Sequence, residues 1–234
     1  VATRSGSMIC PVCKEGRELE REREERGWLE RVERECGIPR ATQADVRRSA
    51  FRQEVLQSIR SSLEQSRGAY LYGSVGTGKS TAAGAALLES VQSTGSFLGS
   101  PGRLGRFITA SDYLQGIRDS FSDRDAGVFG DGATGTQGAD GTRCLVLDDI
   151  GADRLSEWGA EQMTTLIDHR TSNGLPTIFT SNFSLDELEQ RINNTYDTRT
   201  RNRLYPSGSR IASRIEGSCS ALEVKGPDYR RRGT

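Results

Sequence analysis

This chain has no excess charge of either sign. Its 32 Lys and Arg balance 32 Asp and Glu over 234 residues, giving a net charge of zero at pH 7. No global basic field therefore announces nucleic acid, and any such contact must be local. Long apolar runs are also missing: the hydrophobic fraction is 34%, and no stretch approaches the length needed to span a bilayer. That excludes a transmembrane helix and predicts a soluble protein without a membrane partner. The N-terminal residues contain no apolar signal region, an expectation against export. Cysteine is sparse and odd in number, five in all, which fits a reducing cytoplasm better than a disulfide framework.

What is present is decisive. Residues 73 to 80 read Gly73-Ser74-Val75-Gly76-Thr77-Gly78-Lys79-Ser80, a complete G-x-x-x-x-G-K-S loop. It follows the apolar segment Ala69-Tyr70-Leu71-Tyr72, which reads as a buried strand. It precedes an Ala- and Leu-rich run from Thr81 to Val91 that reads as a helix. The glycines let the backbone turn its N–H groups around a polyphosphate, with a helix N-terminus behind them. Lys79 can reach the β- and γ-phosphates, and the Ser80 hydroxyl can ligate Mg²⁺. A chance glycine-rich turn would not satisfy every position of the pattern between a strand and a helix. ATP and Mg²⁺ are the expected ligands, and the cradle runs from Gly73 to Thr81.

A second motif points to hydrolysis. Cys144-Leu145-Val146-Leu147 is continuously apolar, as in a strand buried on both faces of a parallel sheet, and it ends in Asp148-Asp149-Ile150-Gly151. A carboxylate at that end faces the crevice where open α/β sheets bind ligands. Asp148 is placed to hold the metal shell, and Asp149 to orient or deprotonate the attacking water. In isolation an acidic turn after a strand would be the plainer reading; downstream of a phosphate loop it is not.

The rest of the chain supplies the scaffold. Residues 1–40 form an appendage and residues 41–234 the ATPase core. From Lys14 to Cys36 opposite charges recur at i,i+3 and i,i+4 spacing, which predicts a solvated helix. Its apolar Leu19, Trp28, Leu29 and Val32 either dock a partner or pack on the chain's own core. Residues 42 to 66 carry a helical pattern with Val46, Phe51, Val55, Leu56, Ile59 and Leu63. Further strands are expected at 106–109, 176–180 and 221–224, with helices from Ala110 and over Glu157 to Arg170. Residues 122 to 142, poor in large apolar groups, read as a flexible insertion. Alternating strands and helices imply an α/β fold, a mostly parallel sheet covered by helices on both faces.

Two later segments narrow the reading. The strand ending at Thr180 runs into Ser181-Asn182, and Arg210-Ile211-Ala212-Ser213-Arg214-Ile215 sets two guanidiniums four residues apart on one helical face. The order of phosphate loop, Asp-Asp, Thr-Ser-Asn and paired arginines resembles the AAA+ ATPases of the DnaC/DnaI-type replicative helicase loaders, including phage-borne relatives. The resemblance runs from about Ile38-Pro39 to Tyr229-Arg230. It includes Phe107-Ile108-Thr109-Ala110, Leu147 to Gly151, Leu175-Pro176-Thr177-Ile178, and Gly226-Pro227-Asp228-Tyr229-Arg230.

The resemblance implies roles. Asn182 is the expected γ-phosphate sensor. Arg214 is the expected arginine finger reaching a neighbouring subunit's nucleotide, with Arg210 a supporting residue at that nucleotide. The implied partners are a hexameric replicative helicase, single-stranded DNA and further copies of this chain on ATP binding. The chain departs from the family pattern at Asp149, which is Glu in many AAA+ ATPases, and this predicts slow hydrolysis; no second sensor arginine is assigned. Cys10-Pro11-Val12-Cys13 has zinc-knuckle spacing, and loader relatives often carry a zinc module there. Only Cys36 offers a third ligand, however, and the sole histidine, His169, lies in a core helix, so a degenerate remnant is the stronger reading. A basic stretch, Arg191, Arg199, Arg201 and Arg203 with Tyr196 and Tyr205, is either a DNA contact or solvated surface. An IstB-type transposition helper and a non-hydrolysing nucleotide-dependent adaptor are the alternatives.

Overall fold

The computed structural model describes residues 14–49, 51–94, 100–122, 139, 141–193 and 207–229. Its centre is a five-stranded sheet of β1 (Gly68–Tyr72), β2 (Gly105–Thr109), β3 (Cys144–Asp148), β4 (Thr177–Ser181) and β5 (Cys219–Glu223). The order is β2-β3-β4-β1-β5, and every pairing is parallel. All of β4 and the first four residues of β3 are buried. This is why Cys144 to Leu147 is apolar without alternation, while in β4 the buried Thr177, Thr180 and Ser181 hydroxyls are hydrogen-bonded.

Alternation along each strand still sends side chains to two separate cores. On one face Ala69, Leu71, Val146 and Ile178 pack with Ile59, Leu87 and Val91. On the other, Tyr70, Leu145, Leu147 and Phe179 pack with Tyr113, Met163, Leu166, Ile211 and Ile215. The first layer is built by α1 (Lys14–Glu35), α2 (Arg40–Arg47), α3 (Gln53–Glu64), α4 (Lys79–Thr94) and the short α5 (Pro101–Leu104). The second is built by α6 (Ala110–Ser122), α7 (Glu157–Ser172), α8 (Leu185–Asn193) and α9 (Ser207–Ser218). The expected α/β sheet covered on both faces is what the chain forms.

Two features differ from the sequence pattern or resolve it. The helical pattern over 42 to 66 is broken into α2 and α3. Ser49 takes a left-handed φ of 50° and ends α2, and Phe51 then drops into the core at 7% exposure. No Gly or Pro marks that break. At the N-terminus the α1 stripe packs on the chain's own core: Val32 and Cys36 are wholly buried, with Trp28 and Leu29 against the same cluster. Gly37 turns the chain with φ of 72°, and Ile38 follows it into the core. A Cβ on Gly37 would stand 3.1 Å from the Phe107 carbonyl, while Phe107 N donates to the Cys36 carbonyl at 2.7 Å. Leu19, farther out on α1, is exposed.

Of the expected insertion, residues 123–138 and 140 lie outside the described residues. Its far end is fixed by Arg170, 1% exposed, which donates to the carbonyls of Ala139, Thr142 and Pro176 and to the Thr177 hydroxyl. Among the described residues no helix is long and apolar enough to cross a membrane.

Candidate active site

The loop between β1 and α4 turns through Gly73, Gly76 and Gly78, with φ of 133°, 81° and 85°. Positive φ at all three is what only glycine adopts without strain, and it folds the loop into a concave cradle of backbone N–H groups. Lys79 opens α4 and is 7% exposed. Its Nζ donates to the carbonyls of Gly73 and Ser74 at 2.8 Å each and to Asn182 Oδ1 at 3.0 Å. Thr77 is buried and its hydroxyl closes the loop onto the Ser74 carbonyl at 2.9 Å. Thr81 is buried beneath it, whereas Val75 stands out at the loop's tip.

β3 and β4 bring their ends to the same cradle. The Thr180 hydroxyl donates to Asp148 Oδ1 at 2.5 Å and accepts from the Asp149 amide at 2.9 Å. Burial pushes the Asp148 carboxyl above its ordinary value; hydrogen bonds from Thr180 and Ser80 pull the other way, the Asp149 charge adds to the rise, and Lys79 opposes it. Asp149 itself holds a left-handed φ of 58°, a conformation that Asp tolerates and bulkier residues do not. Asn182 Nδ2 donates to Asp149 Oδ1 at 3.2 Å. Asn182 therefore bridges the phosphate-loop lysine and the acidic pair, and Lys79, Ser80, Asp148, Asp149 and Asn182 form one connected group.

Ser181 and Arg191, the latter read from the sequence as part of a basic stretch, hold that group in place. Ser181, wholly buried, donates to the Ile150 carbonyl at 2.7 Å. Arg191 reaches from α8 to the carbonyls of Gly151 and Ala152, at 2.5 and 2.8 Å, and lies over the Phe183 ring at 4.7 Å. Its head thus pins the turn after Asp149. The remainder of the basic stretch, Tyr196 to Tyr205, lies outside the described residues. The segment after β5 crosses the phosphate loop: Val224 N donates to the Tyr72 carbonyl at 2.7 Å and Tyr229 N to the Gly76 carbonyl at 2.9 Å. A Cβ on Gly76 would come within 2.0 Å of Asp228 Oδ1. The Gly226-Pro227-Asp228-Tyr229 signature lies on the cradle, which its sequence does not disclose.

The residues fit the expected ligands. Ser80 and Asp148 place a hydroxyl and a carboxylate in contact, an oxygen-only donor pair suited to a hard cation such as Mg²⁺. Lys79 points its ammonium along the inside of the loop. Zinc does not fit in the same way. Cys36, the anticipated third ligand, is a core residue whose thiol burial pushes up to about 12, and its Sγ donates to the Pro101 carbonyl at 3.5 Å. Cys10 and Cys13 lie outside the described residues, and among those described no three or more His, Cys, Asp or Glu side chains converge as a metal-holding group.

The paired arginines lie elsewhere. Both are on α9, where Arg210 Nη2 is 2.7 Å from Asp168 Oδ2 and Arg214 Nε is 2.8 Å from Asp168 Oδ1. α9 leads directly into β5, whose first residue, Cys219, pairs with Gly68 at the start of β1. The phosphate loop follows Tyr72 at the other end of β1, level with Glu223. Arg214 therefore sits toward the opposite rim of the sheet from its own chain's cradle.

No protein-family model matches the chain. Replicative helicase loader DnaI of Bacillus subtilis is 30% identical over 159 residues, covering 67% of this chain and 46% of that protein. The chain thus spans under half the length of the curated relative it matches. Among solved structures, the DnaC helicase loader superimposes with a TM-score of 0.52 at 25% identity, covering 74% of this chain and 89% of that one. The DnaI crystal structure gives a TM-score of 0.54 at 19% identity over 76% and 98% of the two chains, a likeness of fold. The five-stranded parallel sheet with helices on both faces is an AAA+ P-loop fold, and the chain is similar to the DnaC/DnaI-type replicative helicase loaders.

Proposed function

We propose that this protein is an ATP-dependent loader of a hexameric replicative helicase onto single-stranded DNA. The observation that carries the ATPase half is the bridge of Asn182 between Lys79 and Asp149. It joins the group that would hold the γ-phosphate to the group that would act on the attacking water. The likeness to DnaI and DnaC favours helicase loading over service to a transposase.

Each residue has a defined task in this reading. The Gly73–Ser80 cradle binds the polyphosphate through backbone N–H groups. Lys79 gives up its contacts to the Gly73 and Ser74 carbonyls and turns to the β- and γ-oxygens. Ser80 and Asp148 hold Mg²⁺, which when bound neutralises charge developing on the phosphate oxygens. Thr180 fixes the Asp148 rotamer. Asp149 orients the water and accepts its proton, and Asn182 registers whether a γ-phosphate is present. Arg214 of an adjoining copy completes the site in trans, a contribution worth roughly a thousandfold or more in NTPases that use one, and Arg210 supports it. Hydrolysis then depends on assembly.

The reading is tested by Lys79→Ala. Equilibrium titration should show loss of tight ATP binding with an unchanged circular-dichroism spectrum. ATP-dependent deposition of the cognate helicase on single-stranded DNA should disappear with it. Equal nucleotide affinity in the two proteins would remove the site assignment. Wild-type loading without any turnover by the native chain would favour the adaptor, for which the short Asp149 side chain argues.

A further inference from the structure

On the rim of the sheet away from the nucleotide cradle, one carboxylate is shared by two guanidiniums. Asp168 lies near the end of α7, and Arg210 and Arg214 project from successive turns of α9. The two contacts are unequal. Arg210 Nη2 donates a well-formed hydrogen bond to Asp168 Oδ2 at 2.7 Å. Arg214 Nε lies 2.8 Å from Oδ1 but without hydrogen-bond alignment, so that oxygen has a charge contact and no bonded donor. Asp168 is the most enclosed of the three, with its side chain 24% exposed against 61% for Arg210 and 52% for Arg214.

We propose that Asp168 is a positioning residue that presents Arg214 to the nucleotide of an adjoining copy, with Arg210 as its permanent counter-ion. This rests on the reading of Arg214 as a residue acting in trans. A half-enclosed carboxylate that lost its only cation would be left costly and unpaired. With two guanidiniums on one carboxylate, Arg214 can leave for a phosphate while Arg210 stays. The poorly aligned contact is the one that parts. The trio carries a net single positive charge, so it remains attractive to an anion while its arginines are held in few rotamers beforehand, which lowers the ordering cost of the contact. Arg214 cannot spend that charge on its own chain's nucleotide, because β1 separates α9's end from the phosphate loop. The apolar contacts of Ile211 and Ile215 with Leu166 and Ile167 join α9 to α7 independently of the charges.

The full-length chain carrying Asp168→Asn, which keeps the shape and removes the charge, is compared with wild type, Asp168→Glu and Arg214→Ala. Asp168→Asn should bind ATP with wild-type affinity and melt at the wild-type temperature. Its kcat should fall roughly tenfold to a hundredfold at unchanged KM, and Asp168→Glu should recover most of it. ATP-driven association, followed by sedimentation, should weaken several-fold while nucleotide-free association stays unchanged. Mixing Asp168→Asn with Lys79→Ala should restore turnover, since the second chain donates an intact Asp168–Arg214 pair. Mixing it with Arg214→Ala should not, since neither chain can donate. Wild-type turnover by Asp168→Asn beside a slow Arg214→Ala would overturn the role of Asp168 alone, as would failure of the Lys79→Ala rescue. Wild-type turnover by Arg214→Ala would overturn the trans reading beneath it.

Discussion

Burial holds the Asp148 carboxyl above its ordinary value although the Thr180 and Ser80 hydroxyls both donate to it. A carboxyl whose folded value exceeds its unfolded one favours the native state fully below the unfolded value. That contribution is lost as pH rises through the folded value. Where Asp148 is ionised in the folded chain, its burial is therefore a stability cost. Asp148→Asn should raise the melting temperature at pH 7 and lose Mg²⁺-dependent turnover. The gain should vanish as pH falls below the ordinary carboxylate range, where the carboxyl is protonated in folded and unfolded chains alike. Calorimetry across that range checks it, and a variant that melts lower at pH 7 would contradict the account. Lys79, Asp148, Asp149 and Asn182 were legible in the sequence because each sits in a short motif whose spacing is the chemistry. Thr180 and Ser181 belong to a motif as well, but their hydroxyls acquire partners only from the pairing of β4 with β3. Asp168 was not legible at all: its partner Arg210 is 42 residues away, and nothing local to either announces the other.

At the scale of elements, the strands were legible to within a residue or two; β3 is a short buried apolar run, as a central parallel strand is, whereas the edge strands β2 and β5 are only partly buried. The break between α2 and α3 was not, because it rests on Phe51 finding a core pocket rather than on a Gly or Pro. The boundary of the appendage shows the same limit. A cut at residue 40 follows the Gly37-Ile38-Pro39 breaker, yet the packed core reaches back along α1 to Trp28. Removing residues 1–39 would strip Val32 and Ile38 from the core, which are 0% and 4% exposed, a loss of about 3–6 kcal/mol for two such side chains. Within residues 1–27, the described side chains from Glu18 onward are exposed and mostly charged. The shorter truncation should melt close to wild type and bind ATP normally, and the longer one should melt far lower. If the appendage is the helicase contact, the shorter truncation alone should abolish capture of the cognate helicase. Full-affinity capture by that variant would place the contact on the core.

For the whole molecule, the decisive relation is the separation of cradle and arginines along the sheet. The phosphate loop, Asp148-Asp149 and Asn182 gather at the C-terminal ends of the strands, and Arg214 lies toward the other rim. In the proposed reading, one chain presents an unfinished site on one side and a finger on another, which calls for a head-to-tail interface that closes only by repetition. Such an interface makes two inactive variants unequal as contaminants. A Lys79→Ala chain has no usable cradle but still offers Arg214, so doping it into wild-type assemblies should leave turnover per wild-type subunit almost unchanged. An Arg214→Ala chain has a cradle but no finger, so each one incorporated should silence the adjoining wild-type site. Turnover per wild-type subunit should then fall in proportion to the Arg214→Ala fraction. Native turnover per subunit should also rise with protein concentration and level off once assembly is complete. Identical dilution curves for the two variants, in mixtures shown to co-assemble, would mean that Arg214 serves its own chain. The geometry of α9 against β1 argues otherwise.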